Sequence, residues 1–183
     1  LAAVSIGLSY GISVEAIQKG VLSLKNIPGR LQEIEAGQPF KLFIDYAHTP
    51  DALNTMLQAV RSITKGRLII VFGCGGNRDK GKRAVMGGIA SQKADYVIIT
   101  TDNSRKEDPA EIINDIEKGI IGANYKKVVN RKEAIIEGLD IARHGDTVVI
   151  AGRGHEHYQA LRNRTIPFND KNIAEEFLSS KIC

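Results

Sequence analysis

The chain has 183 residues, is 43% hydrophobic and 25% charged, and carries a net charge of +4, an ordinary balance for one folded domain with a smaller piece attached. It holds no apolar run approaching the roughly 18 residues of a membrane-spanning helix, and its basic residues neither form long runs nor interleave with aromatics as in a nucleic-acid surface. Cys74 and Cys183 have neither metal-ligand spacing nor the makings of a disulfide framework, which fits a reducing compartment, and the cytoplasm is the expectation.

Taken in order, the chain opens inside an apolar helical pattern without an initiator Met. Ala3, Ile6, Gly7 and Tyr10 share one face of a first helix, which ends at Gly11. Ser13 starts a second helix over residues 14–24, with Ile17, Val21 and Leu24 on its apolar side. These helices have no sheet of their own and are expected to be the tail of a preceding domain, over residues 1–27. Pro28-Gly29-Arg30 is a break. A weak strand over 31–34 turns at Ala36-Gly37 and returns as a strand over 40–44, which ends in Asp45-Tyr46-Ala47-His48. Thr49-Pro50-Asp51 has the cap, first-position proline and acidic first turn of a helix start, and Leu53, Met56, Leu57 and Val60 form its buried stripe.

A continuous apolar strand over 68–72 then runs into a glycine-rich turn carrying Arg78, Lys80, Lys82 and Arg83. Gly76-x-x-x-x-Gly81-Lys82 has the spacing of a phosphate loop, but Arg83 occupies the place of the Mg²⁺-binding hydroxyl, so a complete phosphate loop is not expected. The turn's arginines still suit a carboxylate or a phosphate. A helix follows, with Val85, Met86, Ile89 and Ala90 assigned to its inner face. A strand over 96–100 ends at Asp102-Asn103-Ser104-Arg105. Asp108 and Glu111 frame the next helix start, with Ile112, Ile113, Ile116 and Ile120 inward. A short strand over 127–129, a helix capped at Asn130 and a strand over 147–150 follow. The last of these ends at Gly152-Arg153-Gly154-His155-Glu156. A final helix begins near Asp170, with Ile173, Ala174, Phe177 and Leu178 inward.

Short apolar strands alternating with amphipathic helices predict an α/β, Rossmann-like fold: a mostly parallel sheet with helices on both faces, here preceded by the helical tail. In such a sheet the carboxyl ends of the strands share one edge, where ligands bind. The polar residues collect at those ends. Asp45 and His48 stand before a helix start. Arg78 stands in the basic turn. In Asp102-Asn103-Ser104-Arg105, the guanidinium can pair with a carboxylate while Asp102 accepts from an ammonium, which suits a zwitterion. Glu156 is a second ammonium partner, and Gly152 permits close backbone approach. His155 and His157, two apart and without further ligands, make no metal centre. No Ser or Cys nucleophile stands in relation to His48, so no catalytic residue is assigned.

Asp45-Tyr46-Ala47-His48-Thr49-Pro50, the 73–83 turn, Asp102-Asn103-Ser104-Arg105 and Gly152-Arg153-Gly154-His155-Glu156 occur in the order seen in the Mur ligase family. The chain resembles its MurE type, in the diaminopimelate-adding form, along essentially all of its length. The resemblance implies a cytoplasmic three-domain enzyme of peptidoglycan synthesis. Such an enzyme uses ATP and Mg²⁺ to join an amino acid, here meso-diaminopimelate, to UDP-N-acetylmuramoyl-L-alanyl-D-glutamate through an acyl phosphate. Residues 28–183 would be the C-terminal, amino-acid-binding domain, whose partners are the N-terminal and central domains of the same chain, with no nucleic acid and no membrane. Arg78, Asp102, Asn103, Ser104, Arg105, Gly152 and Glu156 would meet the amino acid, and Arg30 and Asp45 would face ATP. Most of the ATP and Mg²⁺ site would lie in the central domain, so residues 1–183 alone are expected to be inactive. Ser104 and Arg153 depart from the family's usual Pro and Lys. A lysine-adding relative, a cyanophycin- or folylpolyglutamate-type ligase and a non-catalytic binding module are the alternatives.

Overall fold

The computed structural model describes residues 1–24, 26–162 and 164–181; of the residues read above, Cys183 lies outside them. The elements are α1 (Ala2–Ser9), α2 (Val14–Ser23), β1 (Gln32–Glu33), β2 (Lys41–Asp45), α3 (Pro50–Ile63), β3 (Leu68–Phe72), α4 (Gly81–Lys93), β4 (Tyr96–Thr100), α5 (Pro109–Glu117), β5 (Tyr125–Val128), α6 (Arg131–Asp140), β6 (Thr147–Ala151), β7 (Tyr158–Leu161), β8 (Arg164–Pro167) and α7 (Asp170–Lys181).

The helix starts follow from side chains that satisfy otherwise orphaned amides. Thr49 accepts from Ala52 N–H, Asp108 from Ala110 N–H, and Asn130 from the N–H groups of Lys132 and Glu133. The helix α4 lacks a side-chain cap at Lys80; instead Asp79 Oδ1 takes the Gly81 N–H at 2.8 Å.

Six strands form one sheet in the order β1-β2-β6-β3-β4-β5. The strand β1 is antiparallel to β2, and the remaining pairs are parallel. The strand β6 inserts between β2 and β3, helices cover both faces of the central strands, and β3 and β6 are buried throughout. On one face Leu53, Leu57, Met86, Ile113 and Ile116 of α3, α4 and α5 pack with Phe72 and Ile99. On the other, Ala134, Ile135 and Leu139 of α6 and Ala174 and Leu178 of α7 pack with Val71 and Ile150. Each of the larger side chains among them contributes about 1.5–3 kcal/mol by leaving water.

The structure departs from several expectations. Val85 points outward and is 52% exposed. Strands expected over 40–44 and 127–129 run instead over Lys41–Asp45 and Tyr125–Val128. An antiparallel hairpin, β7-β8, occupies a stretch to which no element was assigned. The expected inner faces of α1 and α2 are not covered among the described residues: Ile6, Tyr10, Val21 and Leu24 are exposed, and Gly7 is the buried residue of the pair.

Candidate functional site

Strand register brings the polar strand ends together. Asp45 lies opposite Ala151, Ile150 opposite Val71, and Phe72 opposite Ile99. The residues just beyond these strands therefore meet at one sheet edge. There they line a cleft of about 260 Å³ formed by Tyr46, His48, Thr49, Gly75, Arg78, Lys82, Asp102, Asn103, Arg105, Gly152 and Glu156.

The glycine-rich turn is shaped by its neighbour rather than by a phosphate. A Cβ at Gly73 would come within 2.1 Å of Thr100 O, and one at Gly76 within 2.0 Å of Ser104 O. Without them the turn lies directly against the loop after β4. Gly76 N–H donates to Asn103 O at 2.9 Å, and the Arg105 guanidinium donates to Gly76 O at 2.8 Å. Asn77 and Arg105 both adopt φ of 52°. Asn tolerates this region. Arg does so at a cost that surrounding bonds must offset, and Arg105 N–H is fixed by Ala160 O of the β7-β8 hairpin at 3.0 Å.

Arg83, which occupies the hydroxyl position of the apparent phosphate loop, turns inward. It is 0% exposed and pairs with Glu107 at 2.9 Å and Asp115 at 3.0 Å. Burial works against its charge, but the hydrogen bonds and charges of Glu107 and Asp115 outweigh burial and raise its pKa. A buried, doubly paired guanidinium is structural. Cys74 is also inward, its Sγ 3.7 Å from Met86 Sδ, and burial pushes its thiol up to about 12.

On the opposite wall, Asn103 is fixed from three directions. Its Nδ2 donates to Glu156 Oε2 at 2.9 Å, while its Oδ1 accepts from Arg153 at 2.8 Å and from Ala160 N–H at 2.7 Å. Arg153 is buried among Asn103, Glu156 (3.4 Å) and Asp102 (3.8 Å), donates to Tyr158 O, and stacks on Phe168. Burial, then the charge of Arg131, lowers its pKa, although a guanidinium stays charged at any working pH. Gly152 has φ of 110°, and a Cβ there would meet Asp102 Oδ2 at 2.8 Å.

The structure thus brings Arg78, Asp102, Asn103, Arg105, Gly152 and Glu156 to one cleft. Ser104 is fully buried and does not line it, and its hydroxyl has no partner among the described residues. Asp45 and Arg30 stand beside the cleft. Asp45 accepts from Leu31 N–H and Ala47 N–H, each at 2.7 Å, which holds Leu31 at φ of 40°. Arg30 is exposed and stacks 4.7 Å over the ring of Tyr46. Lys82, left without a role by the sequence, donates to His48 O at 2.8 Å. Sequence reasoning missed Glu107, Gln159 and Ala160 as supports. Gln159 donates to Asp102 O at 3.1 Å, a bond between distant segments that no local spacing announces.

Chemically, the cleft sets two guanidiniums and Lys82 against two carboxylates. Arg78 makes no hydrogen bond or ion pair among the described residues, so its donors are open to an incoming anion.

Comparison with known proteins identifies the family. Residues 29–154 match the family model described as Mur ligase, glutamate ligase domain. The chain is 48% identical over 180 residues to UDP-N-acetylmuramoyl-L-alanyl-D-glutamate–2,6-diaminopimelate ligase 1 of Clostridium acetobutylicum, covering 97% of this chain and 37% of that one. It is 44% identical over 185 residues to the corresponding ligase of Syntrophomonas wolfei, covering 100% of this chain and 38% of that one. A solved structure of a UDP-N-acetylmuramoyl-L-alanyl-D-glutamate–2,6-diaminopimelate ligase superposes with a TM-score of 0.81 at 38% identity, over 100% of this chain and 38% of that chain. The chain therefore spans well under half the length of these relatives, and within that span it belongs to the Mur ligase family, in its glutamate ligase domain.

Proposed function

We propose that this chain is the C-terminal, amino-acid-binding part of an ATP-dependent ligase that adds meso-diaminopimelate to UDP-N-acetylmuramoyl-L-alanyl-D-glutamate. The observation that carries the reading is the single cleft in which Arg78 and Arg105 face Asp102 and Glu156. Diaminopimelate is a zwitterion at both ends. The guanidiniums take a carboxylate, and Asp102 and Glu156 take an ammonium, which leaves the other amine to react. ATP converts the dipeptide's carboxylate to an acyl phosphate. The amine then attacks its carbonyl carbon, phosphate leaves, and the amine's proton is released. The work of this domain is to hold that amine in place. Lysine lacks the second carboxylate and would leave a guanidinium unpaired, which is how such a site rejects it.

The reading extends to the domain layout. Residues 1–27 are the end of a central ATPase domain, and residues 28–183 form the domain described here. The groove of about 650 Å³ between α1 and α2, lined by Val4, Leu8, Val14, Ile17, Val21 and Leu22, supports this, because it is an apolar face suited to packing against such a domain. Arg30 reaches the ATP phosphates, and Asp45 shapes the turn that presents it. Mg²⁺ and most of the ATP contacts are assigned to the rest of the enzyme, as the family resemblance implies. Consumption of ATP and a nucleotide-linked substrate makes the cytoplasm the proposed compartment.

The test is Arg105→Ala in the full-length enzyme. Diaminopimelate kcat/KM should fall roughly 100-fold, the loss of about 2.7 kcal/mol expected for a charge-assisted contact, without a matching fall for lysine. An undiminished value overturns the assignment.

A further inference from the structure

We propose that Glu107, anchored by Arg83, is a positioning residue that joins the two arginine-bearing loops of the cleft into one preset unit. The inference rests on the reading of the cleft as an amino-acid site. Arg78 is the guanidinium with open donors, and it directly follows Asn77. Asn77 is held at φ of 52° by contacts to the other loop: its N–H donates to Glu107 Oε1, and its Oδ1 accepts from Lys106 N–H at 3.0 Å. The Glu107 carboxylate also accepts from Arg83 Nη2 at 3.0 and 2.9 Å, and Lys80 Nζ lies 3.5 Å away. Arg83 is buried and its second arm is fixed by Asp115. The chain of support therefore runs from the body of α4 through Arg83 and Glu107 to the residue before Arg78. On its far side, the same loop is bonded to Arg105 through Gly76 O.

Glu107 does not line the cleft, so it acts on the ligand only through the placement of Arg78 and Arg105. Asp115 provides the comparison. It holds the same guanidinium, but among the described residues its carboxylate bonds only to Arg83 and Lys118 and to neither cleft loop. A purely structural role for the cluster would make Glu107 and Asp115 equivalent. A positioning role separates them.

The experiment is steady-state kinetics on the full-length enzyme carrying Glu107→Gln, Asp115→Asn or Arg105→Ala, with thermal unfolding of each. Glu107→Gln is expected to raise KM for diaminopimelate about tenfold or more, as for a binding group displaced by a fraction of an ångström. KM for ATP and for the dipeptide substrate, and kcat at saturating diaminopimelate, should be unchanged. Glu107→Asp should fall between Gln and the parent. Asp115→Asn should lower the melting temperature without moving any KM. Where Glu107→Gln fails to fold, Asn77→Gly keeps the left-handed backbone, removes the bond to Lys106, and should raise the same KM. If Glu107→Gln and Asn77→Gly leave KM for diaminopimelate unmoved, or if Asp115→Asn moves it equally, the proposal is overturned. If Arg105→Ala is also without effect, the failure belongs to the amino-acid-site reading itself.

Discussion

At the scale of single residues, the recognition loop holds an unusual group. Ser104 is fully buried between Asn103, whose side chain is bonded at both ends, and Arg105, which sits at φ of 52°. The Ser104 hydroxyl has no hydrogen-bond partner among the described residues. Burying a hydroxyl without a partner costs about 1–3 kcal/mol, because its bonds to water are lost and nothing replaces them. The family resemblance offers a reason: the position usually holds Pro, which brings no polar side chain. Ser104→Ala removes the orphan oxygen and leaves the two neighbours untouched. It is expected to raise the unfolding free energy by about 1 kcal/mol and to leave amino-acid binding as it was. Urea unfolding followed by far-ultraviolet circular dichroism measures the first, since the chain has no tryptophan. A clear loss of stability would show that the hydroxyl is needed.

At the scale of elements, the ends of helices are tied to the ends of strands. Arg131 at the start of α6 bonds Asp170 at the start of α7 with two contacts of 2.8 Å, and donates to Ala151 O of β6 at 3.0 Å. Both side chains are fully buried. Removing one partner leaves the other charge stranded in the interior, which costs about 3–5 kcal/mol. Asp170→Asn should lose stability toward the lower part of that range in thermal unfolding, whereas the paired apolar replacement Arg131→Met with Asp170→Leu should recover most of it. Parent-like stability in Asp170→Asn would show that the pair does not hold the helices. The sequence read these elements well where local rules decide them. Thr49, Asp108 and Asn130 cap helices as their spacing announces, and the apolar runs are strands. It read poorly what non-local bonds decide. The β7-β8 hairpin is short and polar, and its bonds to Asn103 and Arg105 come from far along the chain. Arg83 looked like a cation of the turn, because a base in a helix's first turn ordinarily faces water and opposes the dipole. Only the approach of Glu107 and Asp115 makes it structural. The convergence of the strand ends was legible from the βα alternation alone. The insertion of β6 between β2 and β3 was not, because no local pattern encodes strand order.

At the scale of the whole molecule, buried and half-buried ionisable groups bound the pH range in which the fold is stable. Burial alone would raise the Asp146 carboxyl, but the Arg67 guanidinium and the N–H groups of Arg143 and Arg67 outweigh it and lower its pKa. The Asn77 N–H lowers Glu107, with burial opposing and Arg83 adding to the effect. Lys118 and then Arg83 lower Asp115. For each of these, the unfolded chain takes up a proton at a higher pH than the folded one. Their stabilisation is therefore complete above the unfolded carboxyl values of about 3.9–4.3 and is lost as pH falls through and below them. Cys74 gives the opposite limb. Its thiol is pushed up to about 12 by burial, so the unfolded chain releases that proton first, near the free-thiol value of about 8.5. Stability is complete below that value and declines as pH rises toward the folded one. The expected profile is a plateau from about pH 5 to about pH 8 with a fall on each side. Urea midpoints at half-unit intervals would trace it. Asp146→Asn should flatten part of the acid limb. Cys74→Ala, which keeps a small apolar side chain against Met86, should flatten the rise of the alkaline limb between about pH 8 and 10 while lowering the plateau only modestly. An alkaline fall of the same size between about pH 8 and 10 in Cys74→Ala would show that burial of the thiol is not its origin.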